Sequence, residues 1–119
     1  MSAFNLDFNA LNVRSRIPTG AVIEGNAQFP CGLLLEGTLN CKEQARVGGA
    51  LVLLHDGLLS GEVEIDGDAY ILGTIHAERV VIKGKAHFAE GSTITGCVHA
   101  KDYQVYAGAA ITASLLQLP

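Results

Sequence analysis

Pairs of apolar residues, two positions apart, recur every six residues along this chain. The first ten pairs run from Ala21/Ile23 to Ile75/Ala77, and 19 of their 20 positions are apolar, the exception being Gly57. Residues two apart lie on the same face of a strand, whereas a helix requires spacings of three and four. Each six-residue unit therefore predicts a short strand followed by a tight corner.

Glycine marks a second, longer period. From residue 25 onward, eight glycines head eight segments of 12 residues, except that the segment from Gly73 to Lys83 has 11. After this one-residue deletion the apolar pairs resume one position earlier, at Val80/Ile82. Glycine suits corners because they require positive φ or close backbone approach. On a three-sided coil this period would mark every second corner, and no physical reason for that choice is evident from the sequence.

Short strands with one apolar face become stable when the chain coils, so that successive turns stack about 4.8 Å apart in parallel sheets. Three units per turn make an 18-residue coil of triangular section. A two-strand coil of 12 residues would leave little interior for pairs as bulky as Leu33/Leu35 and Leu51/Leu53. The sequence therefore predicts an all-β fold, a single-stranded parallel β-helix with three sides and about five to six coils.

The repeat also divides the chain. We assign residues 1–19 to an N-terminal tail or cap, 20–114 to the β-helix domain and 115–119 to an apolar C-terminal end. The apolar pairs blur around Tyr103 and Val105, shortly before that end.

Composition limits the classes of function. The 119-residue chain has a net charge of −4 and no basic cluster, so a nucleic-acid partner is not expected. No apolar run approaches the roughly 20 residues that cross a bilayer, and the N-terminus lacks the features of a secretory signal, which predicts a cytoplasmic protein. Cys31, Cys41 and Cys97 lack C-x-x-C spacing, so we expect reduced structural thiols.

The candidates for chemistry are three histidines. His76, His87 and His99 each lie between two inward residues, so their side chains should point outward. With 18-residue coils they fall on three different faces and could not bind one metal within a monomer. No serine or cysteine has a base placed by sequence to activate it. The sequence predicts no catalytic, metal or cofactor site, and no enzyme.

The outward columns differ in character when the chain is followed in 18-residue steps. One column contains Arg46 and Glu64 and should be solvated. Another contains Leu34, Val52 and Tyr70, an apolar strip larger than chance exposure on a monomer would give. We predict that this strip is a lateral contact surface. The alternatives are that the register is wrong or that a terminal segment covers the strip.

The ends of a β-helix are open strands, whose unpaired backbone groups invite another chain. The C-terminal sequence SLLQLP contains Leu115, Leu116 and Leu118 and has little polarity. Such an end either folds over as a cap or stays available for contact with another molecule.

The N-terminal sequence AFNLDFNAL alternates Phe4, Leu6 and Phe8 with polar residues. These three residues are predicted to form a cap or to contact a membrane. Since Arg14 and Arg16 are the only nearby cations, such membrane anchoring would be weak.

Two stretches, GTIHAERVVI (73–82) and GCVHAKDYQVYAGAAITASL (96–115), resemble the repeat of the bactofilins, bacterial polymer-forming cytoskeletal proteins. The similarity covers residues 20 to 114. It implies a right-handed β-helix that assembles end to end into filaments without nucleotide. It also implies apolar contacts between ends, a role for which Leu115, Leu116 and Leu118 are the candidates. From the residues alone, a left-handed hexapeptide helix would fit equally.

The leading hypothesis is a structural protein whose filaments scaffold cell-envelope or cell-shape partners, in the cytoplasm or at the inner face of the membrane. The protein would bind other copies of itself as a homopolymer. One alternative is a trimeric acyltransferase or carbonic anhydrase of the hexapeptide-repeat class, with His76, His87 or His99 at a subunit boundary. Another is a discrete oligomeric binding module that uses the apolar strip.

Overall fold

The six-residue alternation produces short parallel strands that stack on one another. The computed structural model describes residues 13–25, 27–54 and 56–117, without the side chains of residues 13–14 and 41–44. This part of the chain contains eleven strands and no helix. The strands are β1 (Val13–Ile17), β2 (Val22–Glu24), β3 (Ala27–Phe29), β4 (Gly32–Leu35), β5 (Thr38–Val47), β6 (Leu51–Leu53), β7 (Leu58–Ile65), β8 (Ala69–Ile71), β9 (Thr74–Phe88), β10 (Thr93–Val105) and β11 (Ala110–Gln117).

The described strands all pair in parallel, and the pairing falls on three faces. Face A contains β1, β4, β6, β8 and the last residues of β9 and β10. Face B contains β2 and the first residues of β5, β7, β9, β10 and β11. Face C contains β3 and later residues of the same five long strands. Each face has six strand segments, so the predicted three-sided parallel β-helix is confirmed, with six coils. The pairing extends from Val13 to Gln117, beyond both limits of the interval 20–114.

Coil length varies more than the uniform 18-residue register implies. On face A, Leu33, Leu51 and Ala69 follow one another in steps of 18. On face B, Leu39 pairs with Leu59 and Leu59 with Ile75, which are steps of 20 and then 16. Faces A and C keep steps of 18 here, from Leu35 to Leu53 and from Ala45 to Val63, so the two corners that flank face B absorb the difference.

The inward pairs form one continuous apolar column. In every predicted pair from Leu33/Leu35 to Val98/Ala100, the described side chains and the glycine are buried. Ser92 is the only polar residue among the buried residues that the structure describes, and its hydroxyl donates to the Ala89 carbonyl at 2.6 Å. Burial of this column is the dominant stabilising contribution that the sequence supplies.

The structure shows where the glycines of the 12-residue period lie. Twelve residues span two of the three sides, so successive glycines reach each of the three corners in turn and return to the same corner after two coils. Gly25, Gly61 and Gly96 all lie at the corner between faces B and C, and all have positive φ. A Cβ at position 96 would collide with the carbonyl oxygen of Ala77 in the preceding coil. Close stacking of these two coils therefore requires glycine at position 96.

Candidate assembly surfaces

The apolar column becomes accessible at its C-terminal end. Strand β11 pairs with β10 on one edge, and no described strand pairs with its other edge. Ile94 and Val98 are fully buried, whereas Ile111 and Leu115, their partners in the last coil, are half-buried. The half-buried inward residues of this coil, which we call the C-terminal end, are Tyr103, Ala109, Ile111, Ala113 and Leu115.

The N-terminal end of the column is similar. Strands β2 and β3 each pair with β5 alone among the described strands. Ala21, Ala27 and Phe29 are half-buried against the core, and Ile23 is 37% exposed although the alternation predicts it to point inward. Two half-buried apolar layers therefore lie at opposite ends of the column, each beside a strand edge that no other described strand pairs with.

The three predicted end leucines lie in different environments. Leu115 points into the column, where it follows Val98 in register and packs against the core. Leu116 lies beside His99 on the outer side of face C and is 47% exposed. Leu118 lies outside the described residues. Neighbouring strand residues point to opposite sides, so alternation could have separated Leu115 from Leu116.

Tyr103 is a residue at the C-terminal end that sequence reasoning missed. Its ring lies 6.2 Å from that of Phe88 in the preceding coil. Its hydroxyl lies within hydrogen-bonding distance of two carbonyl oxygens on face C, that of Val98 at 3.0 Å and that of Leu116. Burial raises the pKa of Tyr103. The side chain thus crosses the triangle from face A to face C, and the blurring of the apolar pairs at this position was the signal for it.

The predicted lateral strip lies on face A. Leu34, Val52 and Tyr70 are register partners in successive coils, and His87 is the next residue along the strip. Leu34 and Tyr70 are half-buried, whereas Val52 has 0% exposure. Burial, and then the negative charge of Asp68, raise the pKa of Tyr70. The strip is therefore continuous in space, but its central residue is inaccessible.

Face C carries a cluster of charges. Arg46 stands opposite Glu64 in register, yet its Nη2 pairs with Oδ2 of Asp66 at 3.3 Å. Lys83 Nζ lies 2.8 Å from Oε1 of Glu64 and 3.4 Å from Oδ1 of Asp66. The hydrogen bond to Glu64, and then that to Asp66, raise the pKa of Lys83. Such exposed pairs contribute little to stability, so this face is a solvated surface.

The three histidines lie on three different faces. His76 is on face B, where its Nδ1 lies 2.6 Å from Thr95 Oγ1. His87 is on face A, and His99 is on face C, with its Nε2 3.4 Å from Cys97 Sγ. Within the described residues, no three His, Cys, Asp or Glu side chains are grouped as metal ligands would be.

The remaining predicted residues are the N-terminal apolar residues and the cysteines. Phe4, Leu6 and Phe8 lie outside the described residues, as does the side chain of Cys41. Cys31 and Cys97 are half-buried free thiols. In the described part of the chain, no helix has the length and apolar character needed to span a membrane.

Comparison with known protein families identifies a family for this chain. The family model described as "Bactofilin: Polymer-forming cytoskeletal" matches residues 15–115, which span nearly the whole β-helix. No curated protein and no solved structure matches the chain.

Proposed function

We propose that this chain, which belongs to the bactofilin family of polymer-forming cytoskeletal proteins, assembles end to end into filaments by stacking the two ends of its β-helix. The observation that carries the proposal is the pair of half-buried apolar layers at the ends of one continuous column. A second copy seated on Ile111 and Leu115 would extend the column and remove these side chains from water.

The strand edges support the same arrangement. A free edge presents a row of N–H and C=O groups that pair readily with another strand. Strand β11 supplies such an edge at one end, and β2 and β3 supply it at the other. Stacking of coils would therefore add backbone hydrogen bonds to the apolar contact. Neither G-x-G-x-x-G nor G-x-x-x-x-G-K-[ST] occurs in the chain, and we propose assembly without nucleotide.

We further propose that the filament is a scaffold for cell-envelope or cell-shape proteins at the inner face of the cytoplasmic membrane. Partners would contact the sides of the filament, since its ends are occupied by neighbouring copies. Because the family is cytoskeletal, we propose no catalytic activity for this chain. The placement of the histidines on three separate faces gives no support to an enzyme site within one copy.

Negative-stain electron microscopy of the purified protein at low and physiological salt tests this proposal. We expect filaments at both salt concentrations, because apolar contacts are not screened by ions. Leu115→Lys should disperse them by placing an ammonium group in the apolar layer. Leu116→Lys is the matched control, since this side chain lies on the outer side of face C, and filaments should persist. Circular dichroism of each variant would confirm that the coils are intact. Uniform small particles from the unsubstituted protein would contradict the proposal.

A further inference from the structure

Four buried apolar residues do not belong to the interior column. The column contains the other buried apolar residues in one contiguous cluster. The four that remain are Ala50, Val52, Leu72 and Ala89. All four lie within or next to strands of face A, namely β6, β8 and the end of β9. Among the described residues, buried apolar side chains outside the column therefore occur only on or beside face A.

Val52 is completely buried although it lies on the outer side of face A. Leu51 and Leu53 point into the column, so the side chain of Val52 points away from it. Even so, Val52 has 0% exposure. Val81, the same residue type at an outward position on face C between Glu64 and His99, is only half-buried. On face C, neighbours within the sheet leave an outward valine partly exposed, so the complete burial of Val52 points to a further segment over face A.

We propose that this segment is the N-terminal stretch AFNLDFNAL, residues 3–11, which packs along face A over the strip of Leu34, Val52 and Tyr70. Its apolar residues Phe4, Leu6 and Phe8 alternate with polar ones, the pattern of a strand with one apolar side. An extended segment of this kind matches a flat apolar sheet face.

The connection allows this placement. Residue 13 begins β1, which is the first strand of face A itself. Val52 lies two coils away, a distance of about 10 Å at the spacing of stacked strands. Ten extended residues reach up to about 33 Å, so a few can reverse the chain direction while the rest lie over the strip. Packing the segment there removes two apolar surfaces from water within one molecule, without the entropic cost of association.

Thiol accessibility tests this placement. Val52→Cys and the control Val81→Cys would each be reacted with N-ethylmaleimide in the absence of lipid, with modification followed site by site by mass spectrometry. With the native tail, the thiol at position 52 should react about tenfold or more slowly than the one at position 81. The tail substitutions Phe4→Asp, Leu6→Asp and Phe8→Asp together should bring the two rates close to each other. The conservative pair Phe4→Leu and Phe8→Leu should preserve the protection.

Two outcomes would overturn the proposal. One is a thiol at position 52 that stays protected when the tail carries three aspartates. The other is protection that disappears on dilution, since this would assign the cover to a second copy. Cys31 and Cys97 serve as internal references for an intact fold, and unchanged rates at these thiols exclude unfolding as the cause of exposure.

A second measurement avoids the introduced thiol. Hydrogen exchange of residues 3–11 would be compared between the unsubstituted protein and Val52→Asp, with Val81→Asp as the matched control. The charge at position 52 should release the tail and accelerate its exchange, whereas the charge at position 81 should not. Equal tail exchange in all three proteins would refute the placement.

Discussion

His87 lies flat against Tyr70 of the preceding coil, with ring centroids 4.6 Å apart and planes inclined by 3°. The two residues are register partners on face A. Burial lowers the pKa of His87, and the nearby Lys85 acts in the same direction, while Asp68 and Asp102 oppose it. The stacked imidazole is therefore favoured in its neutral form.

This stack predicts that stability falls with acidification. The pKa of His87 in the fold is below its ordinary value of 6.5, so the unfolded chain binds the proton more readily. Stability should fall as the pH drops from about 7 to the lowered pKa and should change no further below it through this group. Urea unfolding at a series of pH values measures the slope. His87→Phe keeps an aromatic ring but removes the titrating group, and should therefore flatten the slope. Equal slopes in the unsubstituted protein and in His87→Phe would contradict the assignment to His87.

Gly96 lies very close to the preceding coil, so we predict that adding one methyl group at this position strongly lowers the stability of the fold. Gly96→Ala places a Cβ against the Ala77 carbonyl and at a φ of 105°, and should cost more than about 2 kcal/mol of unfolding free energy. Gly25→Ala is the matched control, because this glycine lies at the same corner with a φ of 88° and nothing within 4 Å of its Cβ position. It should cost about 1 kcal/mol, the penalty of positive φ alone. Urea denaturation measures the loss of unfolding free energy in both variants. Equal losses would show that the contact between Gly96 and the preceding coil does not limit the residue type.

The bridge made by Tyr103 predicts a local effect at the C-terminal end. Tyr103→Phe removes the hydroxyl that lies near the carbonyl oxygens of Val98 and Leu116 and should weaken the last coil by about 1 kcal/mol. Hydrogen exchange should accelerate in β11 and remain unchanged in β5 and β7. Tyr70→Phe, on the outer side of face A, should leave β11 unaffected. Acceleration spread evenly over all strands would mean that the hydroxyl stabilises the whole fold rather than its end.

Much of the fold could be predicted because β-helix alternation is a local property. The spacing of Leu33/Leu35 and its repeats fixes which side chains point inward. The same reasoning placed the three histidines on separate faces and located the one-residue deletion, which shortens the step from Val63 to Val80 to 17. These conclusions need only the direction of each side chain and the number of sides.

Other features depend on contacts between distant parts of the chain. The step of 20 residues from Leu39 to Leu59 depends on the path of a corner, which alternation does not specify. Arg46 pairs with Asp66 rather than with its register partner Glu64, because a long side chain can choose among neighbours on the same face.

The sequence by itself determined the inward column, the three sides and the polymer-forming family, since a repeated pattern of apolar residues and glycines encodes each coil in the same way. Only the tertiary structure decided that Tyr103 crosses the last coil and that outward-facing Val52 is inaccessible. Tyr103 lies in the last coil and Val52 lies on the outer side of face A, so the surroundings of both differ from those of a side chain stacked between two repeats. The repeat therefore determines the interior, and long-range packing determines the ends and the covered face.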